Sequence, residues 1–205
     1  MSSGADVFGN AQGDPVVLTP GSGTSIAGSV LNAPHTTEYD PIDFSSIGPN
    51  DNNSIERGPT WAPPFYDSST RDLVVNNGRH ITLTSGVYHF RNMNLAGGSR
   101  LNIDGDVEIF IEGEMRFDNG TVANLGQKPN MFRLNVGQGP VNIQGGHHLH
   151  AVIYAPAAEV NIANGSGFFG SVVGRTLKIA GGGGLHYDET LGEDVEQTGA
   201  PKLVY

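Results

Sequence analysis

One short pattern recurs along this chain: an apolar residue, any residue, a second apolar residue, one or two more positions, then glycine. It reads Val141-Asn142-Ile143-Gln144-Gly145, Val160-Asn161-Ile162-Ala163-Asn164-Gly165 and Leu177-Lys178-Ile179-Ala180-Gly181. Earlier copies start at Ile81, Leu101 and Met115, with a fainter one at Val16. Steps of 19 and 17 residues separate 141, 160 and 177, and 20 separate 81 from 101; the copy at 115 is irregular. A second strand follows each glycine turn, as in Gly86-Val87-Tyr88-His89-Phe90, Val107-Glu108-Ile109-Phe110-Ile111 and Leu149-His150-Ala151-Val152-Ile153-Tyr154. Within each run the side chains alternate inward and outward.

A single coil of this kind cannot bury its apolar side, whereas stacked coils bury a continuous core through parallel ladders. The pattern therefore predicts an all-β fold with little helix: a single-stranded β-solenoid, or parallel β-helix, of roughly 17–20 residues per coil. An antiparallel sandwich with glycine-rich hairpins is the competing arrangement, and the near-constant spacing argues against it. Alternation directs Ile143, Ile153, Ile162, Val172 and Ile179 into one interior.

The whole chain, 1–205, reads as one solenoid domain. Residues 14–33 read as a first coil and 73–187 as the main coils. Between them, 34–72 is proline-rich and too long for an ordinary loop. It reads as an extended segment wrapping the solenoid, anchored by Ile42, Phe44, Trp61, Phe65 and Tyr66. The tail, 188–205, is acidic through Asp188, Glu189, Glu193, Asp194 and Glu196, and is expected to cover or leave the final coil. Open solenoid ends present unpaired edges that are capped or used for assembly.

Absence of cysteine removes disulfides, thiolate metal sites and a cysteine nucleophile. A net charge of −10 with no basic cluster argues against nucleic acid as a partner. No apolar run is long enough to span a membrane. Met1-Ser2-Ser3-Gly4-Ala5 lacks a charged n-region followed by an apolar h-region.

Candidate sites compete with plainer readings. His147, His148 and His150 cluster before Tyr154, and alternation puts His148 and His150 on one side, where two imidazoles could share a metal. The repeat equates Leu149-His150 with Phe168-Phe169 and Leu185-His186, so a solvent-facing stacking ladder is the plainer expectation. Asp106 and Glu108 share a face and are the candidate carboxylate pair for polysaccharide chemistry, against a solvated acidic face. Gly181-Gly182-Gly183-Gly184 lacks the Lys-Ser/Thr and helix of a phosphate cradle and reads as a corner. Asn119 and Asn164, each before glycine, read as turns. Trp61, Tyr88, Tyr154 and Phe169 are the candidate ligand-binding aromatics, lining one side of the stack or packing under 34–72. No cofactor and no catalytic residue is expected.

Tyr154-Ala155-Pro156-Ala157-Ala158-Glu159-Val160, Phe169-Gly170-Ser171-Val172-Val173-Gly174 and Leu185-His186-Tyr187-Asp188-Glu189 carry a family likeness. With Gly86-Val87-Tyr88 and Asn50-Asp51-Asn52, this set resembles an uncharacterised domain of PilX-like, type IV pilus assembly and prepilin-like bacterial proteins, over most of residues 14–191. The resemblance implies a surface-exposed β-helical module carried behind a prepilin-type anchor, with no catalytic residues to transfer. It implies a place at the cell surface or outside the cell, although this sequence departs from the family pattern in showing no such anchor. The expected function is a non-catalytic structural or adhesive module, self-associating through solenoid ends as homo-oligomer or filament, with glycans or pilus components as partners. A carbohydrate-binding or carbohydrate-active β-helix is the alternative.

Overall fold

The computed structural model describes residues 39–188 except 120, 125 and 147, together with 6–8, 11–13, 25–28, 30–32 and 191. Four short strands come first: β1 (Asp6–Phe8), β2 (Ala11–Gly13), β3 (Ser25–Ile26) and β4 (Val30–Asn32). After the segment from Tyr39 come β5 (Tyr66–Asp67), β6 (Asp72–Val75), β7 (His80–Phe90), β8 (Asn92–Ala96), β9 (Arg100–Ile111) and β10 (Met115–Asp118). The remainder are β11 (Thr121–Asn124), β12 (Phe132–Val136), β13 (Val141–Gln144), β14 (His148–Ala163), β15 (Gly167–Ile179) and β16 (Gly184–Tyr187). Short 3-10 turns at Phe44–Ser46, Asn52–Ser54 and Pro129–Met131 are the helical elements assigned within the described residues.

The fold is the β-solenoid that the repeat predicts. Leu73 pairs with Met93, Met93 with Met115, Met115 with Val141, Val141 with Val160, and Val160 with Leu177, all in parallel. Those partners mark six coils, separated by 20, 22, 26, 19 and 17 residues. The longest step contains the 3-10 turn Pro129–Met131, which explains the irregular copy at Met115.

Each full coil contributes to three parallel ladders, where the sequence suggested two strands per coil. The first ladder runs through β6, β8, β10, β13 and the later halves of β14 and β15. The second joins the early halves of β7 and β9 to β11 and, further on, the early halves of β14 and β15 to β16. The third joins the later halves of β7 and β9 to β12 and the middles of β14 and β15. Long strands pass from one ladder to the next at register shifts, between Thr84 and Gly86 in β7 and between Ala155 and Glu159 in β14. Asn119 and Asn164 take positive φ, 47° and 56°, at the corner after the first ladder, as asparagine can through its local hydrogen bonding.

Inward rows form the core. Val75, Leu95, Phe117, Ile143 and Ile162 stack in one row, and Tyr88, Ile109, Leu134 and Ile153 in another, all buried. Val172 and Ile179 pack against the core from the last coils and are half-buried.

Sequence order fails at the two ends. β1 pairs in parallel with β16, and β3 with β1. β1 and β3 thus lie beyond the last coil, so Ser25–Ile26, within 14–33, does not belong to a first coil in space, and β4 pairs with β2 in a separate two-stranded sheet. The rest of that stretch, 14–24, 29 and 33, lies outside the described residues, as do Glu189, Glu193, Asp194 and Glu196 of the tail. From the far end the chain runs back over the third ladder. The Tyr154 hydroxyl donates to the Asp40 carbonyl at 2.6 Å, Phe44 stacks on His89 at 5.9 Å, and Asp51 and Asn52 reach the first coil. Phe65 is buried and receives Arg79 over its ring at 4.8 Å, and Tyr66 packs on Phe90. Trp61 is 78 % exposed and anchors nothing in the core, which corrects that expectation.

At the first coil the segment finishes the sheet edge with side chains. Asp51 N–H donates to the Val87 carbonyl at 2.7 Å, and Val87 N–H donates to Asp51 Oδ2 at 2.9 Å. Asn52 accepts from His89 N–H through Oδ1 at 2.9 Å and donates through Nδ2 to the His89 carbonyl at 2.5 Å. One carboxamide thus substitutes for the donor and acceptor of a neighbouring strand.

Candidate functional site

The outward positions of the third ladder set the site. Alternation that sends Tyr88, Ile109, Leu134 and Ile153 inward sends His89, Phe110, Asn135 and Tyr154 outward in one row. A parallel outward row holds Val87, Glu108, Arg133 and Val152. The segment 42–49 arches over these rows, and a groove of about 530 Å³ lies between arch and ladder. Its floor is Val87, Glu108, Phe110, Asn135 and Tyr154; Ile42, Asp43, Ser46 and Ile47 belong to the arch.

Polar groups in the groove are held in place. Asn135 Nδ2 donates to Glu108 Oε1 at 2.9 Å across one coil step. Asp43 accepts from Ser45 N–H at 3.0 Å and from Ser45 Oγ at 2.6 Å; these bonds hold its carboxyl below the usual range. Tyr39 meets the Tyr154 ring edge-on at 6.4 Å. Burial, with the charge of Asp40, pushes the Tyr154 phenol up, so it remains a donor. Among the described residues no lysine, arginine or histidine lines the groove.

Beside the groove, Glu112 ties its coil to Arg71 and His89 of the coil before. Arg71 donates to both its oxygens, at 2.9 and 2.8 Å, and His89 Nε2 lies 3.0 Å from Oε1. Burial raises the Glu112 carboxyl; the bonds and charge of Arg71, with His89, outweigh it and leave the net shift downward.

The four aromatics singled out by sequence do not form one site. Tyr154 lies in the groove, packing under the segment. Phe169 sits on the second ladder. Tyr88 is 1 % exposed, its hydroxyl donating to the Thr84 carbonyl at 3.0 Å, because alternation turns it inward; a surface role for it is corrected. Trp61 stands exposed elsewhere, outside the groove lining.

His148 and His150 flank the Phe169 ring at 5.5 and 4.7 Å, and His147 lies outside the described residues. Phe169 continues onto His186 at 4.4 Å and His186 onto Phe8 at 4.6 Å. The repeat alignment of 149, 168 and 185 is the observed register, and it builds a ring ladder. Among the described residues no group of three or more histidines, aspartates, glutamates or cysteines is gathered to hold a metal. Burial, then the neighbouring His148 charge, pushes the His150 imidazole down.

Of the carboxylate pair, Glu108 is a groove residue, whereas Asp106 is exposed at the bulge where its N–H donates to Ser85 Oγ at 3.1 Å. Phe110, Asn135 and the arch were missed. The available signal was an aromatic at an outward position, Phe110, in register with Tyr154 two coils on.

These observations define a β-solenoid protein with one long face partly covered by its own crossing segment. Over residues 100–194, less than half of its length, the chain is similar to a domain of unknown function, DUF7305. No curated protein and no solved structure matches it. Among the described residues, no helix is long and apolar enough to cross a membrane.

Proposed function

We propose that this protein is a non-catalytic structural and adhesive module of a bacterial surface or pilus-associated protein. The observation that carries the reading is the groove over the third ladder: a rigid floor of registered side chains along the solenoid axis, with aromatic and amide groups at successive coils. The sequence likeness to prepilin-like proteins supports the cellular setting. Asp51 and Asn52 cover the Val87–His89 stretch of one end, and β1 and β3 extend the other, so self-association through the ends would use the edges they leave.

The test is co-sedimentation of the full chain with bacterial cells and purified type IV pili, with light scattering for its mass in solution. Binding to either supports the role; a strict monomer that binds neither sinks it. The second reading, a carbohydrate-active enzyme, is favoured by Glu108 in the groove. Polysaccharide turnover that disappears in Glu108→Ala or Asp106→Ala would replace the first.

A further inference from the structure

We propose that the groove is a binding site for a neutral glycan chain lying along the solenoid axis, one sugar ring per coil. This rests on the adhesive reading and specifies its ligand. Phe110, Asn135 and Tyr154 occupy the same outward row in three successive coils. Coils in parallel register are spaced by about 4.8 Å, so the two aromatic rings are about 10 Å apart with the amide between them. The single coil step is close to the length of one pyranose unit in an extended chain, and the separation of the two rings to that of two units. The apolar C–H face of a pyranose packs on an aromatic ring, and its rim of hydroxyls bonds to amides and carboxylates. An aromatic–amide–aromatic row meets that alternation at each step.

Charge selects the class. Among the described residues Glu108 and Asp43 line the groove with no basic side chain, and Arg133 stands beside Glu108 just outside the lining; the negative lining disfavours an anionic polysaccharide. Asn135 engages one oxygen of Glu108 and Ser45 one oxygen of Asp43, and the other oxygen of each can accept from sugar hydroxyls. The Glu108 bond uses one N–H of Asn135; its second N–H and its oxygen serve sugar hydroxyls. The groove volume falls within the range of small-molecule sites, about 300–1,000 Å³, enough for a short stretch of chain.

The experiment is calorimetric titration of the full chain with cellotetraose, chitotetraose, tetragalacturonate and tetralysine. Saturation by at least one neutral tetrasaccharide is expected, weakened about tenfold by Phe110→Ala and by Asn135→Ala. His150→Ala, on the other ladder, should leave it unchanged. Thermal melts identify any variant that is unfolded, and Phe110→Leu, which keeps an apolar side chain but removes the aromatic face, then serves as the second probe. Saturation by neither neutral tetrasaccharide, stronger binding of tetragalacturonate or tetralysine, or affinity indifferent to all groove substitutions would each overturn the assignment. If cells or pili are bound while neutral sugars are not, the glycan is wrong and the adhesive role stands. If sugars are bound while cells and pili are not, the adhesive role is wrong and the site stands.

Discussion

Replacing Asn52 by alanine tests whether a side chain closes the first edge of the solenoid. Its amide is 5 % exposed as a residue and makes both bonds to the His89 backbone, at 2.9 and 2.5 Å. Without it, His89 N–H and C=O lose their partners, each costing about 1–3 kcal/mol if left dry. The neighbouring Asp51 and Asn53 are exposed, so water reaches the vacated edge and the loss falls toward the lower end, about 2–3 kcal/mol in total. In a chain of this size that corresponds to a fall of about 4–12 °C in melting temperature. Hydrogen exchange read at individual amides is the sharper assay: His89 N–H should lose protection first, while the matched Asn135 N–H, inside the stack, keeps it. A stability unchanged to within about 0.5 kcal/mol, with His89 exchange as slow as before, would refute the edge-closing role.

Shortening Ile162 to Ala should cost about 2–5 kcal/mol, since it lies fully buried in the inner row; Ile162→Asp should be worse. Asn161→Asp, one position away, removes donors to Asn142 and Glu159 and sets two carboxylates side by side, for about 1 kcal/mol; equal melting of the two Asp variants would refute the inward–outward register. The Glu112 carboxyl is held below its ordinary value, so as pH falls the unfolded chain takes up the proton first. Its contribution is present above about pH 4.5 and is lost as pH falls further, and Glu112→Gln should flatten that acid limb of an unfolding-versus-pH series. A Cβ on Gly86 would lie 2.5 Å from Asp51 Oδ2, so Gly86→Ala should push that carboxylate off Val87 N–H and speed exchange of the Val87 amide.

Alternation and spacing were enough to read the solenoid, the inward rows and the alignment of Leu149, Phe168 and Leu185, because those follow from local periodicity and from glycine and asparagine at corners. Three ladders were not legible, since Leu149–Tyr154 looks like one uninterrupted run although His150 and Tyr154 serve different ladders. Nor was the groove, which depends on where a proline-rich segment settles. Tyr154 and Asp40 are 114 positions apart, and no periodic signal connects them. Trp61 shows the limit of reading large aromatics as anchors: its neighbour in the segment, Phe65, took the buried place under Arg79. Asn52 was noticed only as part of a family likeness, because nothing in a sequence marks a side chain that imitates a strand.

The pairing of β1 with β16 has a consequence for synthesis. Val7 lies against Leu185, which the ribosome adds 178 residues later. At about 5–20 residues per second, β1 waits some 10–35 s for the strand it will join. Coils can stack as they emerge, each on the one before, but the earliest residues complete the structure last. The final ladder therefore closes only on a chain that has been translated through the sixth coil, and a product stopped before Gly184 would keep β1 without that partner, however well its first coils had formed.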